Sequence, residues 1–318
     1  MTAAAEFTVA VPTYNGAQRL PQVLDALRCQ VGDLTWEAVV VDNNSQDDTA
    51  AVVRQAQQNW PSNSSLRYCF EPTQGLAFAR SRAIAVATAP LVGFLDDDVV
   101  PARDWVQQAH RFAQEHPQAG AYGGQIHGEF EQQPPDNFHR IQALLAIREG
   151  GEQPYRYRAE SLSLPPGAAL VVRRAVWQDC SPAHPELVGR VNGKMLSGED
   201  YEVLMHMHQR GWQIWYAPSL HSYHQIPAHR LERPYLMSLA QGCGLCICPL
   251  RLINISPWKQ PAIMARIVGG NLKRLMLHYG THGLATFQDP VLACEAELWR
   301  SAMMSPFFFL RQKLTSLV

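Results

Sequence analysis

Apolar residues recur along the first half of the chain in two alternating rhythms. Residues 7–11 form a short apolar run ended by Pro12, and Leu20, Val23, Leu24 and Leu27 then return at helical spacing. Residues 36–41 form a second run ended by Asp42. Asp47, Asp48 and Thr49 open a helical stretch over 50–58, which Asn59 and Pro61 close. Residues 66–70 read as a third strand, 75–87 as a helix and 91–95 as a fourth strand. Strands alternating with helices of this length predict βαβ units and a mostly parallel sheet with helices on both faces. Near-continuous apolar strands fit a sheet buried on both sides.

The rhythm breaks after the glycine-rich stretch 120–124. Pro134-Pro135, Gly150-Gly151 and Pro165-Pro166 mark residues 128–166 as an irregular, partly helical excursion. A strand resumes over 167–172, a helix runs over 199–209 up to Gly211, and a strand over 213–216 ends before Pro218. Beyond about residue 231 the pattern is helical, with breaks at Pro249, Pro257 and Pro261. The expectation is an α/β domain over 1–230 followed by a helical extension over 231–318, without internal repeats.

The composition, 47% hydrophobic and 17% charged over 318 residues, supports a buried core and excludes disorder. A net charge of −1 gives no pull toward nucleic acid. The charge is unevenly placed, however. From Glu232 onward nine Lys/Arg face four Asp/Glu, a net of +5, which leaves −6 on the residues before it. Such an asymmetry suits an anionic partner for the tail, such as a membrane surface. Leu272, Leu275, Met276 and Tyr279 at helical spacing, and the aromatic run Phe307-Phe308-Phe309, fit either that surface or a core or subunit contact. Seven cysteines, an odd number scattered through a chain this long, do not read as a disulfide framework. Cys243, Cys246 and Cys248 lack a matching second pair and read as free thiols, not a zinc site. The sequence shows no secretory h-region and no run of eighteen apolar residues, so the expected location is the cytoplasm.

Ligands of open α/β sheets bind at the carboxyl ends of the strands. Three features fall there: Pro12-Thr13-Tyr14 after the first strand, Asp42-Asn43-Asn44-Ser45 after the second, and Asp96-Asp97-Asp98 after the fourth. No glycine-rich phosphate loop follows the first strand. The edge is acidic instead, and carboxylates grip a diphosphate through a hard divalent cation, magnesium or manganese. Asp42 is placed to hydrogen-bond a nucleoside and Tyr14 to stack on its base.

PTYNG (12–16), VVDNNSQDDT (40–49), QGLAFARSRAIA (74–85), FLDDDVVP (94–101) and SGEDYEV (197–203) fall in the order seen in family 2 glycosyltransferases, which the chain resembles over roughly its first 230 residues. The excursion and the stretch HQIPAHR (224–230) further resemble a subgroup of cyanobacterial hormogonium and exopolysaccharide synthesis. The resemblance implies the GT-A type nucleotide-diphospho-sugar transferase fold and a UDP- or GDP-linked donor. It implies that Pro12, Thr13, Tyr14 and Asp42 bind the nucleoside, and that Asp98 is a metal ligand. Asp96 or Asp97 contacts ribose or donor sugar, Asp200 is the general base, and His224 and Arg230 close over the diphosphate, His224 as a second metal ligand. The acceptor would be a glycan or lipid-linked sugar, met by the enzyme at the inner face of the plasma membrane if lipid-linked. Processive polymerases of the family carry Q-x-x-R-W after the ED motif. Gln225 and Arg230 do not make that spacing, so a single addition is expected.

Plainer readings stand beside these. The three aspartates also fit a solvated turn, with Asp104 capping the element after it. From spacing alone, Glu199-Asp200 reads better as ordinary charge at a helix start. Arg80 and Arg82 fit ordinary helix-surface charges, with a role at the diphosphate as the lesser alternative for Arg80, and His206 and His208 face different directions. A sugar-1-phosphate nucleotidyltransferase and a catalytically silent nucleotide-sugar-binding module remain the alternative functions.

Overall fold

The structure is a computed structural model and describes residues 4–190 and 195–315. The chain divides into two compact units. The first comprises Met1–Glu129, Ala146–Pro185 and Val203–Gln225, the second Phe130–Leu145, Glu186–Glu202 and Ile226–Val318.

The first unit is built on a sheet of β1 (Phe7–Thr13), β2 (Trp36–Asp42), β3 (Ser64–Phe70), β4 (Leu91–Leu95), β5 (Val99–Pro101), β6 (Ala119–Phe130), β7 (Tyr155–Arg156), β8 (Ala169–Arg173) and β9 (Gln213–Ile226). Its order is β3-β2-β1-β4-β8-β6-β9-β5, with β7 beside β9. The half β3-β2-β1-β4 is parallel, as the alternating pattern predicts. The other half is antiparallel: β8 pairs β4 and β6, and β9 pairs β5 and β7. The sheet is therefore mixed, and the antiparallel strands come from the region where the helix-strand rhythm stops.

Helices α1 (Leu20–Arg28), α2 (Thr49–Gln58), α3 (Leu76–Val86), α4 (Trp105–Glu115) and α5 (Arg174–Cys180) belong to this unit. Helix α1 starts with Pro21 in its first turn and buries Leu20, Val23, Leu24 and Leu27, the residues at helical spacing. Trp105 of α4 meets Phe7 edge to face at 5.9 Å inside the main core.

The strand expected to end before Pro218 continues through it to Ile226. Proline lacks the ladder donor, and such residues sit at bulges or edges. Ala217 is buried as well as Tyr216 just before Pro218, and beyond it the even-numbered positions Leu220, Ser222, His224 and Ile226 are buried as Ile214 and Tyr216 are before it, so the alternation is interrupted at Pro218 and resumes on the same face. The Pro218 carbonyl accepts a bond from Gln125 Nε2 at 3.1 Å.

Helix α6 (Glu199–Gln209) starts among the residues of the second unit. From Arg233 onward the described residues of the second unit form α7 (Arg233–Leu245), α8 (Ile247–Leu252), α9 (Gln260–His282), α10 (Ala285–Gln288) and α11 (Pro290–Thr315). Helix α11 packs along α7 and α9. A Cβ on Gly244 of α7 would lie 2.7 Å from the Leu298 carbonyl oxygen of α11, so a glycine permits that close approach. Cys248, Leu252, Ile267 and Phe309 form a small core here. One stretch not marked by the apolar pattern, Arg233–Leu252, is long and apolar enough to cross a membrane, at a mean hydropathy of 1.2. More than half of it, 56%, is buried in the fold.

Candidate functional site

The parallel register fixes the site. Thr13 pairs with Asp42, and Asp42 with Phe70, so β1, β2 and β3 end level along one edge. On the other side of β1, Ala10 pairs with Phe94, which brings the aspartates after β4 to the end of β1. Thr13 Oγ1 donates to Asp97 Oδ2 at 2.5 Å. Arg19 grips Asp97 with both Nε and Nη2 at 2.8 Å and also donates to the Tyr14 carbonyl at 3.0 Å. The hydrogen bond to Asp97 holds the Arg19 guanidinium above its usual range, against the effect of burial. Asp97 thereby closes the loop 13–19 onto the strand ends. Gly16 sits inside that loop, where a Cβ would lie 2.0 Å from Thr13 Oγ1 and 2.7 Å from Asp97 Oδ2. The PTYNG glycine is thus a packing requirement of the site. Tyr14 is exposed, with its ring open to solvent.

Asp42 is buried and oriented. Tyr68 Oη donates to its Oδ2 at 2.7 Å and the Ser45 N–H to its Oδ1 at 2.8 Å. Burial, with Asp42 beside it, pushes the Tyr68 hydroxyl up to about 12. Neighbouring Asn43 ties down the next loop. Its Nδ2 donates to the Thr73 carbonyl at 2.6 Å, and its Oδ1 accepts the Gly75 N–H at 2.8 Å. Sequence reasoning did not single out Arg19 or Tyr68, and it took Asn43 only as part of the turn after the second strand. An arginine a few residues past a strand and an asparagine among turn residues carry no distinctive spacing.

Arg80 corrects an expectation. It is not a helix-surface charge: its side chain is 2% exposed, with Nη2 3.6 Å from Asp96 Oδ1 and the guanidinium 5.7 Å from the Phe94 ring centre. Arg82, two residues on, is exposed as expected. The Asp96 side chain is half-buried, 34% exposed. Burial pushes its carboxyl up, Arg80 opposes the push, and Asp98 and Asp97 add to it.

Asp98 lies beside His224, with Oδ1 and Nε2 3.5 Å apart and both side chains buried. Strand pairing makes the contact: Val99 of β5 is opposite His224 of β9, and the Gln225 N–H donates to the Asp98 carbonyl at 2.9 Å. Among the described residues, no group of three or more His, Cys, Asp and Glu side chains converges as a metal cage. A hard cation of the magnesium type is held by one or two protein groups and completes its shell with water and substrate phosphates. A carboxylate with an imidazole beside it fits such a site for manganese, a transition ion that accepts a nitrogen ligand, better than for magnesium, which prefers oxygen donors.

In the second unit, Glu199 and Asp200 are both buried in the first turn of α6. Asp200 Oδ1 accepts the Tyr201 N–H at 2.9 Å. Gly198 precedes them at φ +99°, a conformation that favours glycine. Glu202, which the sequence did not single out, accepts the N–H groups of Glu186 and Leu187 at 3.0 Å each. Burial pushes its carboxyl up against those two bonds. Glu202 therefore anchors the segment before α6, while Glu199 and Asp200 stand side by side at the helix start. Arg230 lies, half-buried, in the short turn Ala228–Leu231.

A model of glycosyl transferase family 2 matches residues 8–179, more than half of the chain. Validoxylamine A glucosyltransferase of Streptomyces hygroscopicus subsp. jinggangensis is 36% identical over 103 residues, covering 31% of this chain and 24% of that protein. Pre-mycofactocin glycosyltransferase of Mycobacterium tuberculosis is 26% identical over 216 residues, covering 67% of this chain and 41% of that protein. The matches thus span less than half the length of these curated relatives. Among solved structures, the mannosyltransferase PcManGT from Pyrobaculum calidifontis in complex with GDP-Man and Mn2+ is similar at a TM-score of 0.62. The identity is 19%, over 96% of this chain and 88% of that one. At that identity the likeness is one of fold.

Proposed function

This chain belongs to glycosyltransferase family 2 and has the GT-A fold, and from that premise we propose that it transfers one sugar, with inversion, from a UDP- or GDP-linked donor to a glycan or lipid-linked acceptor. The observation that carries this reading is the buried pair of Asp98 and His224 at the acidic end of the sheet. Asp98 and His224 would hold magnesium or manganese. When bound, that cation offsets the charge that builds on a departing nucleoside diphosphate. Asp42, oriented by Tyr68 and Ser45, receives the nucleoside together with Pro12 and Thr13, and the open Tyr14 ring stacks on the base. Asp97 is committed to Arg19 and Thr13, so contact with ribose or donor sugar falls to Asp96, which Arg80 holds. Arg230 supplies positive charge to the diphosphate.

Asp200 takes the proton from the acceptor hydroxyl as that oxygen attacks the anomeric carbon. One base and one stabilised leaving group suffice for a single displacement, whereas retention through a covalent intermediate needs a separate nucleophile. Arg19 argues against a nucleotidyltransferase. That chemistry wants a basic loop after the first strand, and the cation here is spent on Asp97. The similarity of residues 224–230 to the hormogonium subgroup supports a role in polysaccharide assembly.

The test is turnover of labelled UDP- and GDP-sugars by the intact chain with manganese and with EDTA. Manganese-dependent release of nucleoside diphosphate from one donor supports the reading. Equal turnover in EDTA, or none with any donor, overturns it.

A further inference from the structure

Helix α9 buries Ile267, Asn271 and His278 against its own unit. At 100° per residue, Leu272 and Met276 lie about 140° and 180° round the helix from Ile267. A helix on the surface of a water-soluble domain is polar at that angle. Here Leu272 is 43% and Met276 65% exposed. The apolar surface extends past both ends of the helix. Trp258 is 77% exposed before it, and Leu284 and Phe287 of the following turn and α10 are 78% and 58% exposed.

Charge says what covers this face. From Arg233 to Gln288 the sequence contains no aspartate or glutamate and six cations: Arg233, Arg251, Lys259, Arg266, Lys273 and Arg274. Lys259, Arg266 and Lys273 are exposed beside the apolar residues. A second copy of the chain packing by two-fold symmetry would set this cationic face against itself. A layer of anionic headgroups over acyl chains complements both features, since interfacial helices pair an apolar face with Lys and Arg. A solvent-facing tryptophan is also the side chain that settles at the headgroup level.

We propose that the outer face of α9, with Trp258 before it and α10 after it, docks the protein on an anionic phospholipid bilayer. Attachment is monotopic. The other apolar stretch, Arg233–Leu252, is more than half buried and stays in the fold. The inference identifies the surface that would bring a lipid-linked acceptor to the enzyme. It does not depend on the sugar-transfer reading, because vesicle binding is measured without donor or acceptor.

The experiment is flotation of the intact chain with vesicles of phosphatidylcholine alone, or of phosphatidylcholine and phosphatidylglycerol in equal parts, across a salt series. The expected result is flotation with the mixed vesicles at low salt, release by high salt as screening grows, and little binding to the neutral ones. Since each cation near such a surface contributes about fivefold to partitioning, R266E/K273E lowers binding by about 25-fold or more. M276E/L284E abolishes it, with an unchanged melting temperature because both side chains are exposed. The emission difference between wild type and W258F shifts to the blue on mixed vesicles. Absence of binding at low salt overturns the proposal, as does equal binding to both vesicle types. Dimerisation that M276E/L284E abolishes, without vesicle binding, assigns the face to a second copy instead.

Discussion

Replacing Arg80 with methionine tests the least expected feature of the site. Methionine keeps most of the aliphatic stem and fills most of the space, so the change is mainly one of charge. The guanidinium is 3.6 Å from Asp96. Two unit charges at that distance attract by about 4 to 5 kcal/mol at an effective dielectric of about 20. Asp96 is one-third exposed, so water replaces part of that attraction, and the net loss is about 2–3 kcal/mol. Loss of the contact with the Phe94 ring adds about 0.5–1 kcal/mol. A surface arginine gives a change within about 0.5 kcal/mol, and exposed Arg82 of the same helix supplies that control. The assay is equilibrium urea unfolding of wild type, R80M, R82M, D96N and R80M/D96N. The midpoint of R80M falls at unchanged slope, R82M matches wild type, and the double-mutant cycle returns a coupling of about 1–3 kcal/mol between Arg80 and Asp96. A loss in R80M no larger than in R82M, or a coupling near zero, rules out a stabilising ion pair at this position.

Asp200→Asn lowers turnover by about 10²–10⁴-fold with donor affinity unchanged, read by steady-state kinetics beside nucleotide titration. Loss of nucleotide binding in D200N would show that Asp200 is not the base. Glu37 supplies a pH signature in the core: burial raises its carboxyl, but bonds from Thr88 and Thr8 and the charge of Arg67 outweigh this and hold it below the ordinary 4.5. Because the folded value is depressed, Glu37 stabilises above that ordinary value, and the contribution is lost as pH falls through the folded one. E37Q is therefore less stable than wild type by about 1–3 kcal/mol at neutral pH, and the gap closes in acid, measured by denaturant unfolding across the acid range.

The strand-end positions of Thr13, Asp42 and Asp96 were legible because each lies just past an apolar run, and parallel strands bring such ends to one edge. The pairing of Asp98 with His224 was not legible from spacing. It depends on the register of β5 against β9, set by a strand that runs through Pro218, where the sequence rule ends strands. Arg80 was misread for a different reason. Its helix carries Ala77, Ala79, Ala83 and Ala85 round its circumference, so no polar face marks which of Arg80 and Arg82 points inward. The latches at Arg19, Tyr68 and Asn43 were invisible because their partners are Asp97, Asp42 and backbone groups fixed only by the fold. Glu202 hid beside the more familiar Glu199-Asp200, and only its two backbone partners reveal its anchoring role.

Whether Asp98 holds a cation that grips the donor nucleotide is decided by calorimetric titration of UDP and GDP into the wild type and D98N, each with manganese and with EDTA. One nucleotide should bind the wild type more tightly with manganese than with EDTA. D98N should lose that enhancement while retaining the weaker metal-free binding through Asp42 and Tyr14. Equal affinity of the wild type in manganese and EDTA, or full enhancement in D98N, would contradict a metal-assisted donor site built on Asp98.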